Sequence, residues 1–318
     1  MNDALLEVRG LKKYFSTPSG MLHAVDGLDF SIEKGKTIGV AGESGCGKST
    51  AGRLISLLLE PTEGEIIFEG KEITKLARSE VKLQRKKVQM IFQDPFSSLN
   101  PRKTVYSAIS EAFDIFQMYP SRSEKEKRAF ELMELVGLSR RFINAYPHEM
   151  DGGRRQRIGI ARALALDPCF IVCDEPVSAL DVSIQAQILN LLKELQQQFG
   201  YTYMFITHDL SVVKHISTEI MVMYLGQMME KAPASQLFKN PRHPYTRALL
   251  SAIPVPNIRK RRERVALKGE LTSPIEPKAE CRFASRCAYV TDECRKDIPP
   301  ITDLGGGHTV RCILVDKM

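Results

Sequence analysis

No apolar run in the 318 residues approaches the roughly 20 that a membrane-spanning helix needs. The first ten residues, MNDALLEVRG, lack the basic-then-apolar layout of a secretory leader, so a soluble, cytoplasmic chain is expected. Internal repeats and long heptad runs are absent. The four cysteines near the C-terminus also lack the short C-x2-C to C-x4-C pairs that frame most structural zinc sites.

What is present is enough for one sizeable core plus a smaller appendage: 43% of the residues are hydrophobic. The net charge of +7 would by itself suggest an anionic partner, but the surplus is local. Residues 259–264 (RKRRER) carry five positive charges and one negative, which accounts for +4 and leaves +3 for the rest. Such a run reads as a solvated linker, and its chemistry also suits lipid phosphates or nucleic acid.

Hydrophobic patterning divides the chain. Residues 5–40 alternate apolar and polar around turn signals, which predicts short strands. Thr37–Ala41 (TIGVA) is a compact apolar strand that runs into a glycine-rich loop. Leu54, Ile55, Leu58 and Leu59 then repeat at helical spacing, and Pro61 marks the stop. Residues 97–165 read as mostly helical. Within them Ser123 and Glu126 form a capping-box pattern, Ala129, Leu132, Met133 and Val136 make an apolar face, and Gly137 suits the C-cap. Strand 169–173, a helix near 183–199, strand 202–206 and a strand near 219–224 follow. Strands alternating with helices around a glycine-rich loop predict an α/β fold with a mainly parallel sheet. After Pro241 the composition turns to proline, basic residues and cysteine, so a boundary is placed near 240, giving 1–240 and 241–318.

Gly42-Glu43-Ser44-Gly45-Cys46-Gly47-Lys48-Ser49, followed by Thr50, fits G-x-x-x-x-G-K-[ST]. Glycines there let backbone N–H groups curl around phosphate oxygens, and the positive end of the next helix adds to that field. Lys48 is expected to reach the β- and γ-phosphates, and Ser49 to ligate Mg²⁺. A P-loop needs an acidic metal partner at a strand end. Phe170-Ile171-Val172-Cys173-Asp174-Glu175 supplies one: Asp174 to help hold Mg²⁺, and Glu175 to orient the attacking water or take its proton.

With these motifs the chain resembles ABC-type ATPases over about residues 5–240. Gln93, in VQMIFQDP, is similar to the family's Q-loop glutamine, which contacts Mg²⁺ and the attacking water. Asp151-Gly152-Gly153-Arg154-Arg155-Gln156 occupies the place of the signature motif. Ser178-Ala179-Leu180-Asp181 resembles the D-loop, and His208, in FITHD, the switch histidine at the γ-phosphate. The family stacks adenine on an aromatic near the N-terminus; counting from Leu11 gives Phe15, with Tyr14 second. A packed edge-strand aromatic is the competing reading at both positions. The resemblance implies a RecA-like core with an N-terminal antiparallel β subdomain and a helical subdomain at about 97–165. It also implies a head-to-tail ATPase dimer, with coupling helices of membrane subunits seated near Gln93 to Pro101.

Residues 240–318 resemble the C-terminal extension of ATPase subunits from oligopeptide and dipeptide importers, through NPRHPYT, the following RALL, and Cys281, Cys287, Cys294 and Cys312. In a reducing cytosol four clustered cysteines point to a metal rather than two disulfides. Tetrahedral Zn²⁺ and an iron–sulfur cluster both accept four thiolates, and the resemblance points to a 4Fe–4S cluster, with zinc second and no metal the third alternative. Cys46, Cys169 and Cys173 read as small packing residues. The expected partners are a second, different ABC ATPase chain, two integral membrane permease subunits and an extracellular substrate-binding protein, with no nucleic acid. The expected location is the cytoplasmic face of the membrane. The alternative is a soluble ABC ATPase acting on nucleic acid or ribosomes. Against it stand the single P-loop and the importer-like tail.

Overall fold

The computed structural model describes residues 4–94, 98–253, 267, 269 and 273–315. The basic run at 259–264 lies outside the described residues, as do residues 95–97 of the expected coupling-helix seat. The chain gathers into two units, Met1–Lys75 with Phe205–Met318 and Leu76–Met204. No helix among the described residues is long and apolar enough to cross a membrane.

The first unit contains two sheets. β1 (Ala4–Thr17) and β2 (Gly20–Glu33) pair antiparallel, and β4 (Glu63–Phe68) and β5 (Lys71–Glu72) complete the order β2-β1-β4-β5. Where the sequence predicts short strands, the structure has two of 14 residues each, interrupted by register shifts. The turn signals in the sequence correspond to these irregularities, because a bulge absorbs an extra residue without ending a strand. In the second sheet, β3 (Thr37–Ala41) is buried along its whole length and lies parallel to β9 (Glu219–Tyr224). β10 (Gln227–Pro233) pairs antiparallel with β9, and the tail strands β11 (Thr302–Asp303) and β12 (Thr309–Val310) extend that edge. A strand buried on both faces reads as an unbroken apolar run, which is why TIGVA is legible.

Helix α1 (Lys48–Ile55) is shorter than the apolar spacing predicts. Leu57 turns to φ +57°, the Leu58 N–H donates to the Arg53 carbonyl at 2.8 Å, and the Leu57 N–H to the Leu54 carbonyl at 3.0 Å. This is a Schellman close, usually signalled by glycine, here built with leucine.

The second unit holds α2 (Arg78–Lys87), β6 (Val88–Ile91), α3 (Val105–Ile115), α4 (Arg122–Leu135), α5 (Gly152–Leu164), β7 (Phe170–Asp174) and α6 (Val182–Phe199). β6 and β7 run parallel. The predicted face of α4 is in the core, with Ala129, Leu132, Met133 and Val136 fully buried, and Gly137 sits at φ +67°. The N-cap is Ser121 rather than Ser123: its hydroxyl accepts the Glu124 N–H at 3.2 Å. Ser121-x-x-Glu124 is an equivalent pattern two residues earlier, and starting there lengthens the helix without changing its buried face. β8 (Thr202–Thr207) carries the chain from the second unit back into the first. There α7 (Leu210–Ile216), α8 (Ala234–Lys239) and α9 (Pro244–Ser251) follow.

Candidate functional site

In the first unit the loop between β3 and α1 is fixed by its glycines. Gly42 has φ +152° and Gly47 φ +100°. A Cβ on Gly42 would lie 2.2 Å from the Met223 carbonyl oxygen, and one on Gly47 2.0 Å from that of Ala24. Only glycine fits such approaches. Gly47 is the N-cap of α1 and has no side chain to cap that helix's first turn. Lys48 is 4% exposed, and its Nζ donates to the carbonyls of Gly42 at 2.8 Å and Glu43 at 2.9 Å. Ser44 and Gly45 are exposed at the loop's tip, while Cys46 is buried and its thiol is pushed up by that burial. A glycine-shaped loop that leads into a helix N-terminus, with a buried lysine beside it, is chemistry suited to a polyphosphate.

Tyr14 and Phe15, in β1, are both half-buried. Tyr14 stacks on His23 at 3.9 Å, and its hydroxyl donates to Asp26 at 2.5 Å. One face and the polar tip of Tyr14 are therefore already engaged. Phe15 carries Lys13 over its ring at 5.2 Å. His208 is exposed just past β8, beside Asp209, which caps α7 by accepting the Ser211 N–H at 2.7 Å.

In the second unit β7 delivers Asp174, 2% exposed, and then Glu175. Glu175 sits at φ +44°, a left-handed conformation that costs a non-glycine residue on the order of 1 kcal/mol or more. Its carboxylate accepts the Gln93 side-chain amide at 2.9 Å. Two residues singled out from separate motifs are thus brought together. Ser178 folds back on the Glu175 carbonyl, and the Gln185 amide ties down the carbonyls of Val177 and Leu180. Asp181 is the N-cap of α6. Asp151 is the N-cap of α5: its carboxylate accepts the Arg154 N–H at 2.8 Å and pairs with the Arg154 guanidinium at 3.1 Å. Gly152 and Gly153 let α5 start against Leu180 and Ile184, whose side chains a Cβ would meet at 3.1 Å and 2.8 Å. Gln156 is buried inside this unit, which takes its side chain away from any surface where a second subunit could meet it.

In the tail, Cys281, Cys287, Cys294 and Cys312 line one small cavity with Phe283, and none forms a disulfide. The Cys281 N–H donates to the Cys294 carbonyl at 2.9 Å. The sulfurs of Cys281, Cys287 and Cys312 accept backbone N–H groups from Phe283, Tyr289 and Leu314, each two residues on. Burial pushes the Cys281 thiol up to about 11 and also raises those of Cys287 and Cys312. Among the described residues, no group of three or more His, Cys, Asp or Glu side chains is close enough to hold a metal ion.

Comparison with known proteins decides the family. The ABC transporter profile matches residues 25–178, and the profile of the oligopeptide/dipeptide transporter C-terminal region matches residues 229–294. Oligopeptide transport ATP-binding protein AppF of Bacillus subtilis is 52% identical over 98% of both chains. Dipeptide transport ATP-binding protein DppF of Haemophilus influenzae is 48% identical over 99% of this chain and 98% of its own. The solved dimer of the ATP-binding cassette MJ0796 in a post-hydrolysis state with ADP and Pi superposes with a TM-score of 0.66. It is 30% identical and covers 72% of this chain and 98% of its own. The chain belongs to the ABC transporter ATPase family.

In this ABC ATPase two tail residues that sequence reasoning missed reach the P-loop. The Tyr245 hydroxyl accepts the Glu43 N–H at 2.9 Å, and Arg286 grips the Glu43 carboxylate with two nitrogens at 2.5 Å and 3.1 Å. Sequence signals for them are thin. Tyr245 lies in the importer-like NPRHPYT, and Arg286 merely precedes Cys287.

Proposed function

We propose that this ABC ATPase energises a membrane importer for peptides or a related small solute. The observation that carries the reading is similarity along the whole chain, cassette and C-terminal region together, to oligopeptide and dipeptide transport ATP-binding proteins. The soluble alternative, acting on nucleic acid or ribosomes, is not favoured by any of these relatives. The partners would be a second, different ABC ATPase chain, two permease subunits seated near residues 93–101, and an extracellular binding protein. The chain would then sit peripherally on the cytoplasmic face of the membrane. The test is co-purification from detergent-solubilised membranes followed by ATP-driven uptake of labelled peptides into vesicles. Recovery with ribosomes or RNA and without permeases would overturn the reading.

For the chemistry, the P-loop residues Gly42 to Thr50 would cradle the triphosphate, with Lys48 against the β- and γ-phosphates and Phe15 under the adenine. Phe15 is favoured over Tyr14 because Tyr14 is held by His23 and Asp26. Ser49, Gln93 and Asp174 would hold Mg²⁺, which would neutralise charge on the phosphates. Glu175, oriented by Gln93, would accept the proton of the attacking water, and His208 would contact the γ-phosphate. Asp151, Gly152, Gly153 and Asp181 would face the partner's nucleotide.

The four tail cysteines are proposed to hold a 4Fe–4S cluster. Support comes from four free thiols around one cavity, three of them accepting N–H bonds that favour thiolate. Burial raises these thiols, so a bound cation is what would keep them ionised. Iron and acid-labile sulfide assays on protein prepared without oxygen test this. Zinc without iron would replace the cluster and leave the ligands standing.

A further inference from the structure

Besides the β12 pairing with β10, three contacts of the tail with the cassette bear on the nucleotide loop and the β1–β2 pair, all within the first unit. Residues 274–276 lie along β2: the His23 N–H donates to the Pro274 carbonyl at 2.9 Å, and the Glu276 N–H to that of Met21 at 2.9 Å. Arg282, beside Cys281, pairs with Asp26, the carboxylate that also accepts the Tyr14 hydroxyl. Arg286, beside Cys287, makes the two-nitrogen pair with Glu43. These are not loose surface pairs. The Arg282 and Arg286 side chains are 5% and 7% exposed, and Asp26 and Glu43 12% and 26%. Both pairs are held by burial, and the Arg286 pair also by forked geometry; Arg282 reaches Asp26 through one nitrogen. Tyr224 packs edge-on against Tyr245 and Phe283, which are tilted against each other, with ring centroids 4.8 to 5.3 Å apart.

Glu43 is consequently held at every polar group. Its N–H goes to Tyr245, its carboxylate to Arg286, and its carbonyl to Lys48. We propose that the C-terminal region braces the nucleotide site of its own cassette, with Arg286 as the positioning residue that keeps the Glu43 carboxylate away from Lys48 and the phosphate ring. Arg282 plays the matching part at Asp26, in the strand pair that carries Tyr14 and Phe15. The inference rests on the ATP-binding reading of residues 42–50. Its physical content is charge. Freed from Arg286, the Glu43 carboxylate competes with phosphate for Lys48 and repels the polyphosphate; with Arg286 in place it does neither.

The experiment uses the full-length chain, alone for nucleotide affinity and in the assembled transporter for kinetics, with thermal midpoints measured on every variant. Arg286→Met should weaken ATP binding roughly tenfold and raise KM by a similar factor, with kcat largely kept. Adding Glu43→Gln should restore most of that loss, because the charge that Arg286 neutralises is then gone. A merely structural arginine would not be rescued this way. Wild-type affinity in Arg286→Met, or a double variant no better than Arg286→Met, overturns the brace. If Arg286→Met does not fold, Arg286→Lys carries the same test: a smaller loss, again relieved by Glu43→Gln. Lys48→Ala separates the two levels. If it loses ATP while Arg286→Met does not, only the brace fails; if it binds like wild type, the P-loop reading fails and the brace with it.

Discussion

Lys48 and Glu175 occupy different physical situations, and their substitutions should separate cleanly. Lys48 is buried and spends its donors on two loop carbonyls, so Lys48→Ala removes both the phosphate's nearest cation and a tie across the loop. Nucleotide affinity should fall by at least about tenfold, read by fluorescent-nucleotide titration. Glu175 is held by Gln93 in a left-handed backbone conformation. Glu175→Gln keeps the shape and loses only the proton acceptor. ATP should bind normally and accumulate in a closed dimer, while turnover drops by roughly a hundredfold or more. Hydrolysis at the wild-type rate by the assembled Glu175→Gln transporter would remove Glu175 from this role. Much of this was legible in the sequence, because phosphate chemistry fixes spacing: a glycine loop, a lysine, a strand ending in two acids. The Glu43–Arg286 pair was not, since the two lie 243 positions apart and no local pattern links them.

At the scale of elements, legibility followed burial. TIGVA and the α4 face are buried and periodic, and each was readable. The end of α1 and the start of α4 were misread because leucine took the left-handed position and a second Ser-x-x-Glu lay two residues upstream. The tail shows the same division: its cysteines are visible, but the buried polar network beneath them is not. Glu230 is fully buried. Burial pushes its carboxyl up, but His308, Thr246 and the N–H groups of Arg242 and His243 more than offset that, so it stays below the usual carboxylate range. His243 caps α9 through Nδ1, which accepts the Tyr245 N–H at 3.0 Å, and burial lowers its pKa to about 4. The unfolded chain, with an ordinary histidine near 6.5, binds the proton more readily than the folded one. Stability from this residue is therefore complete above about pH 6.5 and is lost as pH falls toward 4, by on the order of 3 kcal/mol. Melting curves between pH 7 and 4 should show a shallower acid loss in His243→Asn, which keeps a capping acceptor and cannot titrate there. For the cysteines, if the proposed cluster is present, changing any one of the four to Ser should lose the metal and loosen the tail, because a small module depends on its staple. ATP should still bind, with KM raised most by Cys287→Ser, whose neighbour Arg286 holds Glu43.

At the scale of the whole molecule the question is what Asp151 does to a dimer. The usual ABC signature begins Ser-Gly-Gly-Gln; here it is Asp151-Gly152-Gly153-Arg154. Serine and aspartate are both good N-caps, and Asp151 keeps that part of the job, with Arg154 paired to it. The hydroxyl proton is what has been lost. A signature serine donates to the γ-phosphate of the facing subunit, and an ionised carboxylate cannot donate. Two like charges 4 Å apart repel by about 4 kcal/mol at an effective dielectric near 20. Arg154 offsets part of this, but both side chains are about half exposed, 44% and 59%, so the pair is screened and weak. The expected consequence is an asymmetric transporter whose second ATPase is a different chain with an ordinary signature. In such a transporter the site using this chain's P-loop would turn over, and the site that borrows Asp151 would bind ATP but hydrolyse it slowly. Two Glu→Gln changes, made separately at Glu175 and at the partner's corresponding position, measure this. A much larger loss of ATPase activity from Glu175→Gln is the expected result, and equal losses would end the asymmetry idea. Asp151→Ser combined with Arg154→Gln should then raise turnover at the slow site while leaving α5 capped, so a gain in activity without a change in melting temperature identifies the missing proton as the cause.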